Sequence, residues 1–399
     1  MVDKKVYVFI ELEGVNQLVG QMWMHFRNGT ETASFEYSQE WLENDKRFSL
    51  EPSLYLSSGV QHTNKKIFGA IGDSAPDRWG RALMKKIKTG KTLNEIDYLL
   101  LVNDRTRQGA LRFKSDLEGE FLTTTSDMES IPPIVELSKL LAASENIVED
   151  KETSSDLKLL FAPGSSLGGA RPKASVIDNQ GNLCIAKFPK KDDDSNVVLW
   201  EAVALSLAKL AGINTPNWRL VQVADKAVIV IKRFDRLNTW RIPFLSAMSM
   251  LGASDNDGQS YSYMDIADAL RQSGAQPKDD LVELWRRIVF SILISNTDDH
   301  LRNHGFLYQN EQGWRLSPVY DLNPSADSTG HLHTFISQDD STASLELALS
   351  VADYFGLNNI EATYIIDEVK SAVVDWAKVA RGLNIPQTEI KRMGTAFYA

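Results

Sequence analysis

The chain has 399 residues, 43% of them hydrophobic and 24% charged, which is an ordinary globular composition with room for two or three domains. A formal net charge of −10 makes it a poor stand-alone binder of nucleic acid, since phosphate contacts need a local excess of Lys and Arg; a basic patch or partner could still bring it to DNA. The single cysteine, Cys184, excludes an internal disulfide and fits a reducing cytoplasm. We expect no signal peptide and no transmembrane run of ~20 apolar residues.

The N-terminal part of the chain is predicted to form a small β-meander. Its alternating, β-rich segments are residues 4–14, 18–27 and 32–37. A short helix around Trp41 follows. The segment Gly72–Arg81 is predicted to turn from a loop into a helix, with Pro76 in the first turn and Asp73 or Ser74 as the N-cap.

A polar stretch at 122–133, ending in two prolines, predicts a domain boundary. Beyond it, a hairpin is predicted from two apolar strands on either side of a turn-rich tip. A helix at 93–102 is expected before the boundary. The elements expected beyond it are helices at 134–144 and 197–211, the hairpin strands 173–177 and 183–188, and strands 220–223 and 227–234.

The remainder is predicted to be mainly helical, at about 264–272, 281–296, 343–355, 360–382 and 387–396. A β-rich part followed by a helical part is the two-lobed layout of a kinase. We therefore predict an α+β fold with a β-rich N-terminal lobe and an all-α C-terminal lobe. The predicted domains are an N-terminal subdomain at 1–130, an N-lobe core at 131–235 and a catalytic lobe at 236–399.

An acid, an amide and a second acid follow the apolar helix at 281–296. Asp298 and Asn303 are five residues apart, and Asp321 follows behind two short strands. Protein kinases place a catalytic base and two magnesium ligands in this order. The pattern therefore predicts Asp298 as the base and Asn303 and Asp321 as ligands of Mg²⁺, which prefers hard oxygen atoms. Asp299, the neighbouring acid, is the competing candidate for the base.

His300 and His304 offer a different interpretation, a zinc hydrolase in which the two histidines and a nearby aspartate bind the metal. Gly305 and the strand after it disfavour the continuous helix that such a pair needs. We instead expect His300 to brace the loop by hydrogen bonding beside the bound cofactor.

A glycine-containing segment leads into the predicted hairpin, where backbone N–H groups could approach phosphate oxygens. It matches neither a GxGxxG loop nor a P-loop. The candidate phosphate-binding residues are Gly168, Gly169, Ala170, Arg171 and Lys173. Ser165 and Ser166 lie beside them, so self-phosphorylation is plausible at either serine.

Lys187 lies on the second strand of the hairpin and is predicted to anchor the nucleotide. Such a lysine needs a glutamate on the following helix, and Glu201 is suitably placed. The alternative for Glu201 is an ordinary solvated helix position. The strand ending at Asp235 would connect the lobes, with the backbone of Lys232 and Phe234 at the adenine edge and Asp235 at the ribose.

Taken together, these motifs resemble the HipA family of bacterial serine/threonine kinases, the toxins of type II toxin–antitoxin pairs. The resemblance is carried by residues 297–303, 317–322, 168–173, 233–236 and the N-terminal segment 68–81. It spans nearly the whole chain. It implies a phosphoinositide-3/4-kinase-like fold, ATP and Mg²⁺ as cofactors, Lys187 as a phosphate contact, and inactivation by autophosphorylation at Ser166.

The resemblance also implies a HipB-like helix-turn-helix antitoxin dimer as partner, which would carry most of the DNA phosphate contacts. The family's known substrates lie in the translation apparatus, notably aminoacyl-tRNA synthetases. Two other functions stay open: a catalytically weak, kinase-like co-repressor, and a small-molecule kinase. Asp299 departs from those relatives that have Gly at this position, and it adds negative charge to the loop.

Overall fold

The structure is a computed structural model, and it describes residues 4–27, 29–88, 90–122, 131–161, 171–190, 193, 195–255, 258–309 and 312–398. It has two compact units. The first comprises Met1–Lys191 with Val221–Ser254, and the second comprises Asp192–Leu220 with Asp255–Ala399. Each unit is described by itself below.

The fold is α+β, as predicted. The helices are α1 Gln39–Glu43, α2 Gly69–Gly72, α3 Arg78–Ile87, α4 Glu95–Leu101, α5 Leu137–Val148, α6 Ser154–Phe161, α7 Val197–Leu210, α8 Ala247–Met250, α9 Tyr263–Ser273, α10 Pro277–Leu293, α11 Leu345–Ser350, α12 Asn359–Val373, α13 Trp376–Gly382 and α14 Gln387–Met393. None of the helices in the described part of the chain combines the length and apolarity needed to cross a bilayer.

The strands are β1 Lys4–Leu12, β2 Val15–Arg27, β3 Thr30–Tyr37, β4 Gln61–Thr63, β5 Leu111–Lys114, β6 Lys173–Ile177, β7 Leu183–Lys187, β8 Trp218–Val223, β9 Lys226–Lys232, β10 Arg236–Leu237, β11 Trp240–Arg241, β12 Phe244–Ser246, β13 Gly305–Gln309 and β14 Gly313–Leu316. Short 3-10 turns complete the regular structure, among them Leu301–Asn303.

The first unit begins with an antiparallel sheet of order β4-β3-β2-β1-β5. Strand β1 alternates as a half-buried strand should, with Val6, Val8 and Ile10 in the core. The turn between β1 and β2 places Glu13 at φ 52° and Gly14 at φ 81°, the left-handed pair that matches the twist of a two-residue hairpin. The predicted meander is therefore confirmed, and it extends to β5.

A second sheet of the first unit has the order β6-β7-β9-β8, and residues 221–223 of β8 belong to this unit. The predicted hairpin is confirmed, because β6 and β7 pair from Lys173↔Lys187 to Ile177↔Leu183. Helices α3, α5 and α6 contribute to the apolar cluster that this sheet buries. Its members include Trp79, Leu83, Leu140, Leu160, Ala174, Val176, Phe188 and Val230.

Helix α10 is the central element of the second unit. It begins with Pro277 at its first position and with Asp279 and Asp280 in its first turn, where a fixed φ and negative charge both suit a helix N-terminus. Most of its length is buried, including Trp285 and Phe290. Helix α7 belongs to this unit, and its Trp200 packs near Trp376, whose ring stacks on that of Phe397 at 4.4 Å.

Several predicted elements differ in the structure. Asp77, and not Asp73 or Ser74, caps α3, because its side chain accepts a hydrogen bond from Gly80 N. Asp73 instead accepts from the backbone and hydroxyl of Ser246. The helices expected at 343–355 and 360–382 are each divided in two, and α6 was not expected. The all-α C-terminal lobe is also wrong, since the hairpin β13–β14 lies in the second unit.

The predicted division at 130 and 235 is finer than the two units, and it stays a prediction. The units place residues 236–254 with the first and helix α7 with the second. The proline pair at the predicted boundary lies beside β6, where Pro132 O accepts a hydrogen bond from Ile177 N at 3.0 Å.

Candidate active site

The acidic loop of the second unit starts where α10 stops. Ile294 N and Asn296 N bond back to Phe290 O and Ser291 O, so the exit from the helix is fixed. Ser295 then takes a left-handed φ of 48°, which redirects the chain into residues 296–304. A buried helix thus supplies a rigid base for the loop.

Asp299 is the internal anchor of this loop, and it is only 4% exposed. Its carboxylate accepts hydrogen bonds from the Tyr263 hydroxyl and, at 3.4 Å, from Ser291 Oγ, while its Oδ1 lies 3.0 Å from His304 Nε2. Thr334 Oγ1 donates to its backbone oxygen at 2.6 Å. Burial raises the pKa of Asp299, but His304 and the Tyr263 hydroxyl outweigh it, and the pKa lies below its ordinary value.

Asp298, the preceding residue, is exposed. Its backbone oxygen accepts hydrogen bonds from His300 N and from Asn303 Nδ2, both at 3.0 Å. The backbone of Asp298 is therefore held in place while its side chain stays accessible. The predicted base, Asp298, and the competing candidate, Asp299, occupy opposite environments.

Asn303 ends the 3-10 turn Leu301–Asn303 and is 8% exposed. Because its Nδ2 donates to Asp298 O, the amide oxygen is the atom left to accept or to ligate. Asp321 is half-buried and has a left-handed φ of 61°, an unusual backbone state for a residue with a side chain. Such states concentrate at functional sites.

Two hydrogen bonds join the loop to the arm that carries Asp321. Asn323 N donates to Asn296 Oδ1 at 3.1 Å, and the Tyr320 hydroxyl donates to Arg302 O at 2.7 Å. A third, from Ser325 N to Ser295 O, measures 3.1 Å. The amide and the two acids of the predicted set thus lie on one hydrogen-bonded framework within the second unit.

The histidines have other environments than expected. Nδ1 of His300 is buried and has no hydrogen-bond partner in the described part of the chain. His300 holds the loop through its backbone N–H, which donates to Asp298 O, and its role beside the cofactor stays a prediction. Its ring lies edge-on to His333, with ring centroids 5.9 Å apart. His300 and His304 flank one 3-10 turn and do not share an α-helix. Among the described residues, no group of three or more His, Cys, Asp or Glu side chains is arranged to hold a metal ion.

Part of the predicted phosphate-binding segment lies outside the described residues, namely Ser165, Ser166, Gly168, Gly169 and Ala170. Arg171 is half-buried. Lys173 is 4% exposed, and its Nζ lies 2.8 Å from Asp77 Oδ2. Lys173 was expected to add positive charge for phosphate, but its ammonium is neutralised by a buried carboxylate.

Lys187 is half-buried at the end of β7, directly opposite Lys173. Glu201 is 2% exposed on α7, which rules out the solvated helix position that was its alternative interpretation. Lys232 and Phe234 are half-buried at the end of β9, and Phe234 packs near Phe244. The roles predicted for their backbone groups at the adenine edge stay predictions.

Asp235 needs a correction. It is 2% exposed, and its carboxylate accepts hydrogen bonds from Arg233, from Arg236 at 2.9 Å and from Gly109 N at 2.7 Å. Burial raises its pKa, but the charges of Arg233 and Arg236 outweigh this and hold the pKa well below the ordinary range. The carboxylate already accepts hydrogen bonds from these groups within the first unit, so it is poorly suited to bind a ribose.

Reasoning from the sequence missed Tyr263, Asn296 and Asp77. Asp77 could have been predicted as an N-cap, because Asp-Arg-Trp-Gly-Arg is typical of an N-cap followed by a helix. Asp73 and Ser74 were equally good N-cap candidates. Tyr263 lies 36 residues before its partner Asp299, and no local pattern connects the two.

Comparison with known proteins gives matches to an N-terminal and a C-terminal domain of one protein family. Residues 165–377 match the profile described as "HipA-like C-terminal domain", and residues 15–114 match "HipA N-terminal domain". A Haemophilus influenzae protein named "Putative kinase" is 27% identical over 182 residues, which are 40% of this chain and 52% of that protein. "Serine/threonine-protein kinase toxin HipA" of Shewanella oneidensis is 24% identical over 230 residues, 50% of this chain and 49% of that protein.

These alignments span about half the length of those curated relatives. A solved complex of Shewanella oneidensis HipA with HipB and operator DNA contains a chain of similar fold. The TM-score is 0.70 at 17% sequence identity, and the match covers 98% of this chain and 94% of that chain.

Proposed function

The chain belongs to the HipA family, and from this premise we propose that it is an ATP- and magnesium-dependent protein serine/threonine kinase and the toxin of a toxin–antitoxin pair. The observation that carries the proposal is the contrast between two adjacent acids. Asp298 is exposed on a fixed backbone, while Asp299 is buried and paired. A catalytic base must reach its substrate, and only Asp298 is accessible.

Asp298 would orient the acceptor hydroxyl and accept its proton. This role suits a carboxylate whose backbone is restrained at its carbonyl oxygen, which accepts hydrogen bonds from His300 N and Asn303 Nδ2. Asp299 would not compete, because its oxygens already contact Tyr263 and His304.

The chemistry of the predicted ligands suits a magnesium ion and a nucleotide. Asn303 and Asp321 would hold Mg²⁺, since the amide of Asn303 has its nitrogen engaged and Mg²⁺ takes oxygen ligands. When bound, the ion would neutralise charge on the phosphate groups. Lys187 would contact the phosphates, with Glu201 as its partner, and β9 would lie at the adenine. The two-lobed, phosphoinositide-3/4-kinase-like arrangement is part of this proposal.

The proposed partner is a HipB-like helix-turn-helix antitoxin dimer. The similar solved chain comes from a complex with HipB and operator DNA. With a net charge of −10, this chain would leave most contacts with DNA phosphates to the antitoxin. The proposed substrate is a protein of the cytoplasmic translation apparatus, such as an aminoacyl-tRNA synthetase. Autophosphorylation at Ser166 or Ser165 would inactivate the enzyme.

The direct test is to incubate the purified chain with γ-labelled ATP and Mg²⁺, alone and with a cell extract, and to map any phosphoserine by mass spectrometry. We expect label on the chain itself and on one or a few extract proteins, and none with Asp298→Asn. Label on small molecules alone would instead indicate a small-molecule kinase. An absence of transfer by a folded, ATP-binding protein would indicate a co-repressor.

A further inference from the structure

One carboxylate of the first unit serves two elements at once. Asp77 Oδ1 accepts a hydrogen bond from Gly80 N at 2.6 Å and so caps helix α3. Asp77 Oδ2 lies 2.8 Å from Nζ of Lys173, the first residue of β6. Both side chains of this pair are only 3% exposed. The pair therefore joins a helix of the N-terminal part to a strand 96 residues further on.

A second contact holds the same point of β6. Trp79 Nε1 donates to the backbone oxygen of Lys173 at 3.1 Å. Trp79 and Leu83 also belong to the apolar cluster that contains Ala174. The first turn of α3 thus fixes the side chain, the backbone and the packing of the start of β6.

This start of β6 lies directly opposite Lys187, because the register pairs Lys173 with Lys187. Opposite residues of an antiparallel pair share one face, with Cβ atoms roughly 4.5–5.5 Å apart, and like charges there are destabilising. The carboxylate of Asp77 offsets the charge of one of the two lysines. The net charge beside Lys187 therefore depends on a residue of the N-terminal part.

We propose that Asp77 is a positioning residue for nucleotide binding, acting through its pair with Lys173. The pair fixes the beginning of β6, and through the β6–β7 register it holds Lys187 in place to contact the phosphates. This inference rests on the proposed function, in which Lys187 contacts the nucleotide. It makes α3 a structural determinant of affinity for ATP, although the helix carries none of the predicted ligands.

Asp77→Asn is the decisive variant, because Asn is as good an N-cap as Asp, while the charge and the acceptor oxygen that face Lys173 Nζ are lost. The buried ammonium of Lys173 then loses the carboxylate of Asp77, opposite Lys187. We expect the dissociation constant for ATP, measured by calorimetry on protein that circular dichroism shows to be folded, to rise about tenfold. Lys173→Met should have a similar effect, and the double variant should be no weaker than either single variant, because the two residues act as a unit.

Glu95→Gln is the matched control. Glu95 holds the same helix through a bidentate pair with Arg81, with distances of 2.9 and 2.7 Å. Its loss should lower the melting temperature but leave the affinity for ATP unchanged. Unchanged or tighter binding by folded Asp77→Asn overturns the proposal. Weakening by Lys173→Met alone also overturns it, since Lys173 would then contact phosphate directly.

Hydrogen–deuterium exchange without nucleotide separates this inference from the proposed function. Asp77→Asn should speed amide exchange in β6, and Glu95→Gln should not. If Asp77→Asn speeds exchange but the unaltered chain does not bind ATP, the proposed function is contradicted and the role of the Asp77–Lys173 pair in holding β6 is supported. If exchange is unchanged and the unaltered chain does bind ATP, only the role of the pair is contradicted.

Discussion

Asn296 accepts a hydrogen bond from the backbone N–H of Asn323 through its side-chain oxygen at 3.1 Å, and this bond joins the arm that carries Asp321 to the loop that carries Asp298. Asn296 is 1% exposed and also lies 3.4 Å from Ser291 Oγ. One buried amide thus connects the end of α10 with both arms of the candidate active site.

Asn296→Ala should therefore impair both stability and catalysis. Leaving the N–H of Asn323 without a partner costs roughly 1–3 kcal/mol in the free energy of unfolding. We also expect a fall in the rate of phosphate transfer of at least tenfold, since the spacing of the two arms is released. The measurement is single-turnover transfer from labelled ATP alongside urea unfolding.

Asn358→Ala is a suitable control for that experiment. Asn358 caps α12 in the same unit, and losing such a cap costs about 1 kcal/mol. Its transfer rate should match that of the unaltered chain. Equal losses of rate in the two variants would contradict a special role for Asn296.

Asp298→Asn should abolish most transfer while preserving nucleotide binding. A general base contributes on the order of 10²- to 10⁴-fold to the rate, and the exposed side chain adds little to stability. The checks are the turnover rate and the dissociation constant for ATP. Asp327→Asn, at another exposed acid of this unit, should leave both unchanged. Normal turnover by Asp298→Asn would refute its role as the base.

Asp321→Asn should weaken nucleotide binding only when magnesium is present. The proposed ligand loses its charge, but the contacts between chain and nucleotide that need no metal stay intact. Calorimetric titration with ATP should show a loss of about tenfold in Mg²⁺ and no difference in EDTA. A loss of the same size in EDTA would show that Asp321 acts on the fold and not on the ion.

Tyr263→Phe should destabilise the second unit. The hydroxyl donates to the buried carboxylate of Asp299, and hydrogen bonds to charged groups contribute about 1.5–3 kcal/mol. Urea unfolding measures the loss. Tyr261→Phe removes a hydroxyl two residues away that bonds the exposed Gln259, and it should change the free energy of unfolding by less than ~0.5 kcal/mol. Equal effects of the two changes would contradict the anchor role of Asp299.

The stability of the protein should fall on acidification because of its buried aspartates. Asp104 and Asp235 have folded-state pKa values below the ordinary value of about 3.9, because neighbouring arginines outweigh their burial. A depressed pKa contributes stability that is complete above the unfolded-state pKa and is lost as the pH falls through the folded-state value.

We therefore expect a constant urea midpoint from pH 7 to about pH 5, and a steady decline below it. Asp235→Asn should lower the midpoint at pH 7 and make the decline shallower. A midpoint that is independent of pH down to about pH 3 would show that these pairs contribute no net stability.

The order of chemical groups along the chain was predictable, and their environments were not. The acid–amide–acid order and the hairpin of β6 and β7 follow from spacing and alternation within short windows of sequence. The contrast between Asp298 and Asp299 depends on Tyr263 and Thr334, which lie some 35 residues to either side. The ion pair between Lys173 and Asp77 joins residues that are 96 positions apart, so only the folded chain could show it.

Asp235 also shows that the environment of a charged group depends on distant residues, because a side chain predicted to bind a ligand is paired inside the fold. A strand ending in alternating charges suggests exposed groups ready for a ligand. In the fold, two arginines and the N–H of Gly109 surround its carboxylate. Whether such a charge faces a ligand or a neighbour depends on a distant loop, and no rule of local spacing contains that information.

The ion cluster around Asp235 bears on whether the chain can be shortened. Gly109 binds Asp235, and the backbone oxygens of Thr106 and Arg107 accept hydrogen bonds from Arg233. A chain that starts at residue 131 would keep the charges and lose these partners, so it should misfold or aggregate when produced alone. The N-terminal segment is thus better regarded as an intramolecular folding partner of β9 than as a detachable accessory.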